Sequence, residues 1–127
     1  MESLSTKDLI ELDSRQLMHR MDEARQGAIE AGAEWAKTNG DYKALKEMMP
    51  TILAEIQRIT FTGGKMTMAV AKMEALANPK YREKVEEMNR LNKESNLLET
   101  RYRAFLESIK AIAAISYVKN QEMKLSA

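Results

Sequence analysis

A chain of 127 residues with 44% apolar content suits a single globular domain, and the absence of cysteine excludes disulfides, thiolate metal sites and a cysteine nucleophile. Five Gly, two Pro, ten Met and 6% aromatic residues leave little turn chemistry and few strand formers, which predicts an all-α fold. The net charge of +1 is unevenly spread: residues 1–40 hold five basic and eight acidic side chains, residues 41–78 five and four, and residues 79–127 ten and seven. The N-terminus is neither basic nor continuously apolar, and no stretch approaches about 18 consecutive apolar residues, so the expectation is a cytoplasmic protein without a membrane span.

In chain order, Ser5 or Thr6 can cap a short helix carrying Leu9, Ile10 and Leu12, with Asp8 well placed in its first turn. A second helix opens near Asp13 or Ser14 and is expected to end at Asn39 and Gly40, residues that tolerate the left-handed conformation of helix ends. Its seam reads Leu17, Met21, Ala24, Ala28, Ala31 and Trp35. Gly27 and Gly32 beside these small residues imply a closely approaching neighbour, since a helical Gly otherwise costs about 1 kcal/mol against Ala. Asp41 is expected to cap a third helix with the seam Leu45, Met49, Ile52, Ile56 and Ile59. That pattern crosses Pro50 in phase, predicting either a kinked continuous helix or two short ones.

The segment from Thr60 to Lys65, with Gly63 and Gly64, is the one strong breaker in mid-chain. A short fourth helix follows, with Met66, Ala69, Val70, Met73, Leu76 and Ala77 apolar. Asn78 and Pro79 then open a helix of about 45 residues without an internal break signal. Met88, Leu91, Ser95, Leu98, Tyr102, Phe105, Ile109 and Ile112 alternate three and four apart, the spacing of a narrow helix-pairing seam. Together these elements predict an antiparallel helical bundle or extended hairpin in one domain: an acidic helical segment at 1–40, two helices in 41–78 and the long helix over 79–127. The long seam exceeds what the interrupted remainder is expected to cover, so Met88, Leu91, Leu98, Tyr102, Phe105, Ile109 and Ile112 are the candidate interface of a homo-oligomer.

Catalytic signals fail on spacing. His19 is the one histidine in the chain, and Gln16 stands where a carboxylate-bridged metal site needs Glu. Gly63, Gly64 and Lys65 suggest a phosphate loop, but Ile59 occupies its first Gly position and Met66 its hydroxyl position. No metal, no cofactor and no enzymatic activity are therefore expected. Cations interleaved with aromatics are instead the footprint of single-stranded nucleic acid. Tyr102 and Phe105 fall on the seam. Arg101, Arg103, Lys110 and Lys119, with Tyr117 as a stacking ring and Lys65 at a helix start, are the candidates off it.

The run GGKMTMAVAKMEALANPKYREKVEEMNRLNKES, followed by the terminal IAAISYVKNQEMKL, resembles the UvsY-type recombination mediators of tailed phages. The resemblance covers about half of the chain, and its pattern departs near the end, where Lys119 stands in place of an Arg close to Ser116. It implies a homo-oligomer that binds single-stranded DNA and helps to load a recombinase or annealing protein. The positions it carries over are Lys65, Tyr81, Ser116, Lys119 and Asn120. The competing reading from the residues is a structural or interaction protein without DNA binding: an assembly chaperone, a virion component or an inhibitor of a host system.

Overall fold

The computed structural model describes residues 5–62 and 67–126, and all the regular structure among them is helical. Four helices follow one another: α1 (Thr6–Glu11), α2 (Ser14–Thr62), α3 (Met68–Ala77) and α4 (Pro79–Ser126). The fold is all-α with one long C-terminal helix, as composition and periodicity predict.

The helix starts are set by local chemistry. Ser5 Oγ accepts from the Asp8 amide at 3.2 Å and caps α1. Asp13 and Gln16 cap α2 reciprocally: the Gln16 amide donates to Asp13 Oδ1 at 2.8 Å and the Asp13 amide to Gln16 Oε1 at 2.9 Å. Thr67 caps α3 through the Val70 amide, and Asn78 Oδ1 accepts from the Lys80 amide at 2.8 Å with Pro79 in the first position of α4.

One expected boundary is absent. The helix end anticipated at Asn39 and Gly40, with a new cap at Asp41, does not occur: α2 runs through all three as part of 49 continuous helical residues. The seam explains why. Thr38, Asn39, Tyr42 and Leu45 are half-buried and Met49 is buried, so packing continues in phase across the glycine and outweighs its propensity cost of about 1 kcal/mol. Helical residues also continue on both sides of Pro50, which is the continuous alternative of the two expected there. The Gly63 to Met66 segment lies outside the described residues.

Contacts group the chain into two units whose limits fall inside α2 and α4, at Trp35/Ala36 and Asn96/Leu97. Long helices meet only the neighbours alongside them, so contacts cluster by position along a helix rather than by element.

The first unit contains the chain up to Trp35 and from Leu97 onward. Leu9 of α1, Leu17 and Ala24 of α2 and Ile112 of α4 form one buried cluster, with Leu12, Met21, Ile109 and Ile115 against it. Ala28, Ala31 and Phe105 form a second, with Tyr102, Leu106 and Ile109. Low-numbered α2 residues meet high-numbered α4 residues, so the two segments are antiparallel here. The glycines mark the closest approach. A Cβ on Gly27 would lie 2.3 to 2.6 Å from the Phe105 ring, and one on Gly32 would lie 3.0 Å from the Tyr102 ring. Trp35 completes the stack on Tyr102, with centroids 5.8 Å apart.

The second unit, Ala36–Asn96, holds the rest of α2, all of α3 and the start of α4. Met49, Ala71 and Ala75 are its buried apolar residues, and Ser95, 3% exposed, donates to Asn39 Oδ1 at 3.2 Å. Here α3 departs from the sequence reading: Ala71 and Ala75 are its buried face, whereas Val70, Met73 and Leu76 are exposed. The small face packs because a methyl permits closer helix approach than the larger side chains do.

Candidate nucleic-acid interface

The exposed sequence candidates on α4 include a regular line of cations. Arg103, Lys110, Tyr117 and Lys124 recur every seven residues, so they follow one line about 10 Å apart, drifting only about 20° per step. The buried seam of α4 lies on another face, which leaves this line to solvent: Arg103, Lys110 and Lys124 are exposed and Tyr117 is 65% exposed.

Two of these cations already have local partners. Arg103 donates through Nε and Nη2 to Glu99 Oε1 at 3.1 and 2.8 Å, and Lys110 Nζ lies 3.3 Å from Glu107 Oε1. These are exposed pairs one helical turn apart, each contributing about 0.3–0.5 kcal/mol, so a phosphate can replace either carboxylate.

The remaining sequence candidates separate from this line. Arg101 is on the opposite flank of the seam from Arg103, about 200° around the helix, and its guanidinium sits 5.9 Å from the centroid of the Phe105 ring. Lys119 is half-buried, and its ammonium donates to the backbone carbonyl of Leu12, the residue that ends α1. This tie satisfies an otherwise unpaired carbonyl and fixes α1 against α4. Lys65 lies outside the described residues. Tyr81 is half-buried in the second unit, away in sequence from Ser116, Lys119 and Asn120.

The candidate oligomer seam is occupied in part by the chain itself. Tyr102, Phe105, Ile109 and Ile112 pack on α2, because α2 supplies the matching row of small residues. Leu98 in the first unit and Met88 and Leu91 in the second are half-buried.

Sequence reasoning passed over one feature. A groove of about 260 Å³ separates α2 from α4 in the first unit, with Met18, Asp22 and Arg25 on one wall and Ser116, Lys119 and Asn120 on the other. Ser116 and Asn120 lie on one side of Tyr117, about 100° and 60° around the helix from it, so the groove opens on that side of the cationic line. Arg25 is exposed and forms no ion pair among the described residues. Its signal was in the pattern: it follows Ala24 on the edge of the seam, where a long cation can reach over the neighbouring helix.

His19 and Arg58 are engaged in local pairs. His19 Nε2 lies 2.6 Å from Glu23 Oε1 on an exposed face. The hydrogen bond from Arg58 Nη2 to Glu55 Oε1 at 2.7 Å, reinforced by the opposite charges, holds that carboxyl below the usual carboxylate range and raises the guanidinium reciprocally. No group of three or more His, Asp or Glu that could hold a metal ion exists among the described residues. No helix among them is long and apolar enough to cross a membrane.

No family model matches the chain, and no curated protein or solved structure matches it either.

Proposed function

We propose that the protein is a cytoplasmic, non-enzymatic accessory of phage-type DNA recombination. It lays single-stranded DNA along the outer line of α4, works as a homo-oligomer and meets a recombinase or annealing protein. The observation that carries this reading is the seven-residue repeat Arg103, Lys110, Tyr117 and Lys124, which offers three cations to a backbone and one ring to a base on a single exposed line. The resemblance of the segment from Gly63 onward to recombination mediators points the same way. Such contacts read the backbone, so binding is insensitive to sequence and steeply sensitive to salt.

Fluorescence anisotropy of labelled oligonucleotides over a salt series tests the proposal. Each cation removed from the line lowers the magnitude of the log–log salt slope by about 0.7. Arg103→Glu, Lys110→Glu and Lys124→Glu combined abolish binding while helicity is retained. Tyr117→Ala weakens binding by about 1–3 kcal/mol. Arg25→Gln at the groove reduces the slope by the same increment as a cation on the line. Arg101→Gln, on the other flank, leaves affinity unchanged. Absence of wild-type binding at about 50 mM salt overturns the reading.

A second reading, a structural or protein-interaction role without DNA, is favoured by the exposed apolar side chains Phe61 and Met68, which with Ala54 and Gln57 line an open depression in the second unit. Retention of a protein partner by the triple charge-reversal variant, together with absence of wild-type DNA binding, supports it over the first.

A further inference from the structure

Helix α3 carries two apolar faces, and only one of them is used. Ala71 and Ala75 are fully buried. At about 100° per residue, Met73 points about 180° away from the line between them, with Ala69, Leu76 and Ala77 beside it and Val70 at one edge. Met73 is 69% exposed, and Val70 and Leu76 are exposed as well. The described residues leave this outward stripe on a ten-residue helix largely uncovered.

The charges bordering the stripe indicate what covers it. Lys72 and Glu74 lie about 100° to either side of Met73, one of each sign, and neither forms an ion pair among the described residues. We infer that α3 is a self-association surface, and that two copies of this chain pair through it in parallel about a two-fold axis along the helix.

The geometry of that axis makes the stripe complementary to itself. A two-fold axis parallel to the helices carries each flank to the opposite side, so Lys72 faces Glu74 of the partner subunit and Glu74 faces Lys72 of the partner subunit. The axial offset of two residues is about 3 Å, within reach of a lysine side chain. An antiparallel pair would set Lys72 against its own copy and Glu74 against its own copy, with two repulsions in place of two attractions. The formal net charge of +1 gives little repulsion between whole chains to oppose pairing. This inference deepens the assembly part of the proposed function, and it requires no nucleic acid.

Sedimentation velocity on the full chain without DNA, over a concentration series, tests it. Wild type sediments as a dimer or larger assembly, and Met73→Asp sediments as a monomer with unchanged far-UV circular dichroism. Lys72→Glu sets two carboxylates face to face on each flank and raises the dissociation constant several-fold. The double variant Lys72→Glu/Glu74→Lys exchanges the signs and restores the wild-type constant. A wild-type chain that stays monomeric, or a double variant as weak as the single one, overturns the inference; so does an unchanged mass for Met73→Asp. Because Lys72 and Glu74 are exposed, the charge exchange decides the matter even if Met73→Asp does not fold. Oligonucleotide binding measured on the same variants separates the two readings: loss of DNA binding in the α4 variants with intact mass, and loss of mass in the α3 variants, are independent results.

Discussion

Leu17→Ala destabilises the first unit by about 2–5 kcal/mol, the largest effect expected of any single truncation in this chain. Leu17 is 1% exposed and Ile112 is 2% exposed, and these are the two largest fully buried side chains. They meet in the cluster that also seats Leu9 of α1, so the truncation removes core volume where three helices converge. The flanking backbones are helical and cannot collapse readily into the void, so the cost combines lost transfer energy with a residual cavity. Leu17→Met keeps the volume and costs less than about 1.5 kcal/mol. The chain groups into two units, so a single melting curve is the wrong readout. Amide hydrogen exchange resolves the effect: protection falls in α1 and the start of α2 and is retained around Met49. A loss below about 1 kcal/mol at those amides would show that Leu17 is not part of a packed core.

Gly27→Ala is expected to destabilise the same unit although Ala is the better helix former. The substitution gains about 1 kcal/mol of helix propensity. Against that, the new methyl lies 2.3 Å from Phe105 Cε1, and the ring is only 8% exposed and held by Ala28 and Ala31, so either the ring or the helix spacing must change. Overpacking of this kind costs about 1–3 kcal/mol, which leaves a net loss. The other helical glycines grade the response. At Gly32 the nearest Tyr102 atom is 3.0 Å away, a mild contact with a half-buried ring, and the two terms roughly cancel. At Gly40 nothing lies within 4 Å, so Gly40→Ala gains the full propensity term of about 1 kcal/mol. Amide hydrogen exchange, read in each variant within the unit that carries the substitution, checks the order of stability change Gly40→Ala, Gly32→Ala, Gly27→Ala from gain to loss. A Gly27→Ala variant as stable as Gly40→Ala refutes the close approach at Phe105.

These residues also show what the sequence made legible. The seams Leu17 to Trp35 and Met88 to Ile112 could be read directly, because burial on a paired helix follows a fixed angular period that the apolar residues record. The helix starts at Ser5 and at Asn78 and Pro79 were readable for a similar reason: Ser5 and Asn78 each satisfy an amide within three residues, and Pro79 brings no N–H that needs a partner. The boundary at Asn39 and Gly40 misled because a local breaking signal of about 1 kcal/mol is outweighed by packing from residues far away in sequence, Ser95 among them. The inward face of α3 was hidden by its small size. Ala71 and Ala75 give weak hydropathy signals beside Met73 and Leu76, yet close approach selects the methyl groups for the interior. On the candidate interface, exposure of Arg103, Lys110 and Tyr117 followed from the seam. The tie between Lys119 and Leu12 did not, because it joins residues that only the three-dimensional fold brings together. The groove wall at Arg25 and Asn120 was hidden for the same reason.

The hydrogen bond between Ser95 and Asn39 has a bearing on pairing fidelity. A repeating three-and-four seam is nearly as satisfied after a slip of seven residues as before it, because apolar side chains meet apolar side chains in both alignments. A buried hydroxyl removes that degeneracy. In a slipped alignment Ser95 loses the side-chain Oδ1 of Asn39 and is left in the seam without that acceptor, at a cost of about 1–3 kcal/mol. Replacing Ser95 and Asn39 together by Val and Leu would therefore give a helix pair that is more apolar but less exclusive, with a second alignment competing for the same chain.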